Sequence, residues 1–323
     1  MISSDHAAPM TSSDHAATFP PYERRSFPPG AEVGALAALG PAMVHDAARL
    51  VTQGRVYDLD AGRFMGMPLW PGHPPLTVLG YRSPFGLAAV GDSARLYPGK
   101  TNSVTMGFNS DMIIASMHTG AHIDALSHTT VGEDHHWFNG FRAATDLGDH
   151  GPLHADASTI PPLVARGILV DIPGYKGVPH LGRGEAIARQ DVVAALERQQ
   201  TVVRPGDVVL VRTGQMSFWP DAQAMDRVEG AGVGLDAARW LVDDMGVVCI
   251  GADTASMEVK PSQHPDVPEP VHIFMLIDRG AHIMEWIYLE DLARDKVYEF
   301  MFVALPLKIK GATGSMIRPI AIR

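Results

Sequence analysis

His118-Thr119-Gly120-Ala121-His122-Ile123-Asp124-Ala125-Leu126-Ser127-His128 gathers three imidazoles and a carboxylate into eleven residues. Imidazole nitrogen and carboxylate oxygen are the donors that borderline divalent ions take, and so dense a cluster is costly to place without a ligand. Gly120 disfavours one continuous helix through His118 and His122. The run Asp111-Met-Ile-Ile-Ala-Ser-Met117 ahead of them reads as a strand. A strand end and a turn therefore deliver the histidines, and a short helix is open after Asp124. The spacing of four lets His118 and His122 converge, while Asp124 completes a set of three and can bridge two ions. His128 would stand beside the ion as a general acid/base, because a free imidazole titrates close to neutral pH. Any one of these histidines alone reads as an ordinary packed or surface residue; the set is what points to a metal.

The surrounding chain is compatible with such a site. It has 323 residues, 46% of them hydrophobic and 19% charged, enough for one large core. A net charge of -10 argues against a nucleic-acid partner, which needs a basic face. No apolar run is long enough to suggest a membrane span, and no basic segment followed by an apolar one suggests a signal peptide. The single cysteine, Cys249, excludes an internal disulfide and makes a cytoplasmic home the expectation. It sits in Val247-Val-Cys-Ile-Gly251, a buried-strand pattern. The N-terminus repeats Ser-Ser-Asp-His-Ala-Ala at 3–8 and 12–17 and continues into a proline-rich stretch, so 1–30 reads as a flexible tail. No linker divides 31–323, which reads as a single catalytic domain.

Leu36, Leu39, Met43, Ala47 and Leu50 recur at helical spacing over 34–52, with Pro41 as a possible break. Val56–Asp60 reads as a short strand, and the loop 66–75, stiffened by prolines, offers Trp70 as a pocket wall or a core anchor. Further on, strands at 167–172, 207–212, 247–250 and 298–305 alternate with helices at 185–199 and 235–245, a mixed α/β pattern with buried strands. The apolar run 272–277 reads equally as strand or helix. His135 and His136, being adjacent, point apart in extended chain and are poor joint ligands.

The stretch 118–128 resembles the His-x-Gly-Thr-His-x-Asp-x-Pro-x-His motif of the cyclase family, which includes bacterial kynurenine formamidase and isatin hydrolase. Asp58-Leu59 with Met67-Pro-Leu-Trp-Pro-Gly72 resembles the family's N-terminal strand and proline loop. Gly206-Asp-Val-Val-Leu-Val-Arg-Thr-Gly214, Gly251-Ala-Asp-Thr-Ala-Ser256 and the closing segment Pro306-Leu-Lys308 with Gly311 to Pro319 resemble three more family segments. About residues 56 to 323 are covered. The motif's Thr and Pro are here Ala121 and Leu126, and neither is a ligand position.

The resemblance implies an α/β fold, a swivelling β/β/α domain with a barrel-like mixed sheet and flanking helices. It implies His118, His122 and Asp124 as metal ligands, His128 as the catalytic histidine, and His272 and Glu285 as partners for a second ion, with His282 a competing candidate. The cofactor would be one or two divalent ions, zinc or manganese. Trp70, His135, Trp137 and Ser256 are the candidate substrate contacts. The expected activity is hydrolysis of an amide, cyclic imide or lactone carbonyl in a small-molecule substrate. A polyketide-type cyclase or dehydratase is the alternative, and a non-catalytic metal or ligand binder the third reading. Family members are usually dimers or tetramers, so a homodimer or homotetramer is expected.

Overall fold

A computed structural model describes residues 25–323, so most of the predicted tail, with its repeat, lies outside the described residues. The part of it that is described, 25–30, lies against the body: the Arg25 backbone N–H donates to the Asp278 carbonyl at 3.1 Å, and the Phe27 ring packs edge-on against Phe138 at 4.7 Å.

The strands are β1 (Val56–Asp58), β2 (Thr77–Arg82), β3 (Ser110–Ile114), β4 (His122–Asp124), β5 (Leu147–Gly148), β6 (Gly151–Pro152), β7 (Leu163–Asp171), β8 (Ala186–Ile187), β9 (Val208–Arg212), β10 (Gly232–Val233), β11 (Cys249–Ala252), β12 (His282–Glu285), β13 (Glu299–Ala304), β14 (Gly314–Met316) and β15 (Ile320–Ile322). Nine of them form one curled, half-barrel sheet in the order β1-β15-β13-β7-β9-β11-β12-β4-β14. Its centre, β7-β9-β11-β12, is parallel, and both flanks are antiparallel. The sequence explains the split. Val208-Val-Leu-Val-Arg212 is buried at every position, as a parallel strand covered on both faces must be. Glu299–Ala304 alternates buried and half-buried residues, the signature of a strand with one face in the core.

Several element boundaries differ from the periodicity. The expected helix over 34–52 is a 3-10 turn, Gly34–Ala38, and a separate α-helix, Pro41–Ala48, because Pro41 takes the first helical position, where its missing N–H costs nothing. The expected helix 185–199 starts at Arg189, and Ala186–Ile187 instead pairs with β10. The ambiguous run after Pro270 is helical: Pro270–His272 continues into a wide π turn, Ile273–Arg279. A segment buried on nearly all sides carries no face periodicity, so its sequence could not distinguish the two states.

The loops at the carboxyl ends of the parallel strands are tied together by Asp253, just after β11. Its buried carboxylate accepts the Thr213 N–H, the Thr213 hydroxyl and the Gly214 N–H, each at 2.8 Å, joining the end of β9 to the end of β11. In open α/β sheets such loops flank the ligand crevice.

Candidate metal centre

From β3 the chain runs four residues to His118, turns at Gly120, whose φ is +63°, and enters β4. That turn is why the two histidines converge without a helix. Register then supplies a partner from far along the chain, since antiparallel pairing of β4 with β12 sets His122 opposite Glu285. On the other edge β14 sets Gly314 opposite Asp124, where a Cβ would meet the His118 ring at 2.7 Å, so only glycine fits.

His118, His122, Asp124, His272 and Glu285 are all buried and converge. The His118 Nδ1 lies 2.8 Å and the His122 Nε2 3.6 Å from Asp124 Oδ1. Glu285 bridges His122 Nε2, at 3.2 Å, and His272 Nε2, at 3.3 Å. Two nests of donor atoms share the same aspartate, His118 with Asp124 and His128, and Asp124 with His272 and Glu285.

Tautomers decide what these atoms can hold. The His122 Nδ1 lies 2.8 Å from the Gly120 carbonyl, which only accepts, so Nδ1 carries a proton. The His272 Nδ1 donates in the same way to the Glu258 carboxylate. In each neutral ring the Nε2 lone pair is thus left facing carboxylate oxygens. Both Asp124 oxygens and the His122 Nε2 are buried with no hydrogen bond of acceptable geometry. Lone pair against lone pair in a buried place is repulsive until a positive charge, a proton on Nε2 or a metal ion, sits between them. A ring that donates one nitrogen to a carbonyl or carboxylate and aims the other inward has the arrangement of a metal ligand held by its outer partner. The donor set fits a divalent ion.

Charge follows the same logic. Burial alone would lower the pKa of His122 and His272, but the Glu285, Asp124 and Glu258 carboxylates outweigh it and raise both. Burial would raise Asp124, and the surrounding imidazoles, His128 foremost, hold it well below the usual carboxylate range. His128 goes the other way: burial, with His118 and His272 beside it, outweighs the pull of Asp124 and lowers its pKa to about 4. Its pKa thus lies below that of a free imidazole, which leaves the ring neutral at pH 7 and able to accept a proton.

Beside the centre is a cavity of about 280 Å³, lined by Trp70, His73, His118, His128, Thr129, Ala255, Ser256, Glu269, His272 and Glu285. Trp70 and Ser256 thus line this cavity. His135 and Trp137 do not. Trp137 is only 2% exposed, and its Nε1–H donates to the His154 carbonyl at 3.2 Å, a core anchor under the loop. His135 sits at φ +46° in the exposed turn of that loop, while its neighbour His136 pairs with Asp134 at 2.7 Å. His282 is buried, and its Nδ1 donates to the Asp124 backbone carbonyl at 2.7 Å, so it holds the aspartate's backbone instead of competing with His272.

Four residues of the site escaped the sequence reading. His73 lines the cavity, its ring centroid 5.7 Å from that of His118. Glu269 lines the mouth, and the Lys260 ammonium donates to its carboxylate. Glu258 accepts the N–H groups of Val271 and His272, at 3.0 and 3.2 Å, as well as the His272 ring. Arg63 clamps the turn between His118 and His122. Its Nε donates to the Thr119 carbonyl at 2.9 Å, one terminal nitrogen donates to the Ala121 and Ile317 carbonyls, and the other donates to Asp60 at 2.6 Å. Only the planar fork of a guanidinium spans these acceptors at once. Arg63→Lys is therefore expected to weaken metal binding by about 10–100-fold, in the range for losing an outer partner. Chelator competition reads this, and an unchanged affinity would remove the clamp from the account.

Comparison with known proteins places this geometry. The family model described as "Putative cyclase" matches residues 38–259, which contain the 118–128 stretch and end before His272 and Glu285. Cyclase-like protein 2 of Oryza sativa subsp. japonica is 28% identical over 64% of this chain, and the match spans 63% of that relative's length. A crystal structure of a novel cyclase superposes with a TM-score of 0.77 at 29% identity, covering 91% of this chain and 94% of that one. Isatin hydrolase A from Ralstonia solanacearum shares the fold, with a TM-score of 0.60 at 20% identity over 88% of this chain and 98% of its own. The chain belongs to the cyclase family.

Proposed function

We propose that the chain is a metal-dependent hydrolase of an amide, cyclic imide or lactone carbonyl. The observation that carries this reading is a neutral, largely enclosed His128 standing between the ligand cluster and the cavity, its ring centroid 4.1 Å from that of His118 and 6.5 Å from that of His272. His118, His122 and Asp124 would hold one divalent ion, zinc or manganese, and His272 and Glu285 would join Asp124 around a second. Such an ion supplies Lewis acidity toward a carbonyl oxygen and makes water more acidic.

The remaining work falls to the chain's own side chains. His128 takes a proton from the attacking water and returns it to the departing nitrogen or oxygen. The half-exposed Trp70 offers a flat apolar wall for the substrate body. Glu269, with burial raising its pKa but His272 and Lys260 holding it below the ordinary value, is a charged acceptor for a substrate N–H. A cavity of about 280 Å³ admits a small molecule and little more.

The experiment is a screen of formamides, cyclic imides and lactones in water enriched in oxygen-18. Hydrolysis puts one solvent oxygen into the acid product. A product free of solvent oxygen contradicts this reading and supports ring closure or dehydration, the second reading, which the name of the rice relative favours.

A further inference from the structure

Behind Trp70 lies a second, smaller chamber of about 160 Å³, whose walls include Leu69, Gln215, Met225 and Trp286. Trp70 and Ala255 line this chamber and the cavity beside the candidate centre alike, so the indole is a partition with a space on each side. Its position is set locally. A Cβ on Gly72 would fall 1.5 Å from the indole ring, so only glycine lets the ring lie back over the loop. Two successive residues at the end of β12 divide between the spaces, Glu285 lining the cavity and Trp286 the chamber.

Three features define what the chamber takes. Its size is close to the ~150 Å³ that holds one benzene ring. Met225 and Trp286 belong to a small apolar cluster apart from the main core, and Trp219 holds the Trp286 ring edge-on at 5.9 Å. A thioether and an indole suit an aromatic ring. Gln215 adds an acceptor. It follows β9 in the 3-10 turn Gln215–Phe218 and is 3% exposed. Its Nε2 donates to the Met225 carbonyl at 3.2 Å, which can only accept, so the orientation of the amide is set. Its Oε1 is left buried with no partner among the described residues, a state that costs stability until a donor arrives. At the rim Asp226 and Glu229 share the guanidinium of Arg183, at 3.6 and 3.9 Å. The excess of negative charge disfavours a carboxylate ligand and favours a donor.

We propose that the chamber is a binding subsite for an arylamine, a single aromatic ring carrying an N–H donor, with the donor on the Gln215 oxygen and the ring against Trp286. A substrate that spans both spaces straddles Trp70, its arylamine in the chamber and its carbonyl at the metal centre. The spanning rests on the hydrolase reading; binding in the chamber does not.

The probes are aniline and toluene, alike in shape and different in the donor, titrated against the full, metal-loaded chain and read by saturation-transfer NMR. Aniline is expected to bind about 10-fold more tightly than toluene. Gln215→Leu is expected to erase that difference by weakening aniline alone. Ala222→Phe, at the exposed start of the helix Ala222–Arg227, fills the chamber from outside and is expected to weaken both probes by at least ~10-fold. Its exposed position keeps the test decisive should Gln215→Leu fail to fold. Equal affinities in the wild type, a preference for aniline that survives Gln215→Leu, or binding indifferent to Ala222→Phe, which would seat aniline on the metal centre, would each overturn the proposal. None of these readouts needs turnover, so a chain that hydrolyses no carbonyl compound would remove the hydrolase reading while the binding result still decides the subsite.

Discussion

Asp124→Asn is expected to abolish metal-dependent activity, by at least ~1,000-fold, while leaving the fold in place. The aspartate is the one residue shared by both nests of donor atoms, and neither of its oxygens has a well-formed hydrogen bond. The amide removes the negative charge and turns one acceptor into a donor aimed at imidazoles. A stability measurement separates this from simple unfolding. A ligand that binds only the folded state stabilises it by about 2.7 kcal/mol at a hundred times its dissociation constant. Wild-type melting should therefore rise with added zinc or manganese, and that of the variant should stay flat. His122→Ala is expected to behave alike, because the Nε2 of His122 faces both Asp124 and Glu285. A variant that keeps both the thermal response and the activity would contradict the assignment of Asp124.

His128→Ala is expected to separate metal binding from turnover. General acid/base catalysis by a placed side chain contributes about 100- to 10,000-fold, so kcat should fall by that factor with the metal content unchanged. The neutral state of the ring matters here. With its pKa lowered to about 4, His128 is unprotonated throughout the neutral range, and the rate should decline only as pH falls toward that value. The alternative outcome is informative as well, since His128 also stands within reach of His118 and Asp124 as a donor. Loss of an equivalent of metal from His128→Ala would make it a ligand and remove it as the base.

The division between what the sequence disclosed and what it concealed is physical. The stretch 118–128 was legible because its donors are local, and Gly120 correctly signalled a turn. The buried strand 208–212 was legible as the apolar run expected at 207–212, whereas Val247-Val-Cys-Ile250 placed the next strand two residues ahead of its observed span, 249–252. Trp137 was misjudged as a pocket wall because aromatic side chains next to histidines suit a pocket and a core equally well; its indole is covered from the 154 side of the loop. Arg63, Glu258 and Glu269 could not be found by spacing. Each is a lone charge in a loop, which reads as a solvated residue, and each acquires its role through a partner set by sheet register or loop closure. Glu285 shows this most clearly. Its own spacing does not mark it, and it was named through the resemblance alone; the antiparallel pairing of β12 with β4 is what turns it toward His122.

The most direct test is elemental analysis of the purified wild-type chain after dialysis against zinc or manganese and removal of free ion. The arrangement of His118, His122, Asp124, His272 and Glu285 predicts one or two tightly held divalent ions per chain. A chain that retains none, while still folded, would contradict it.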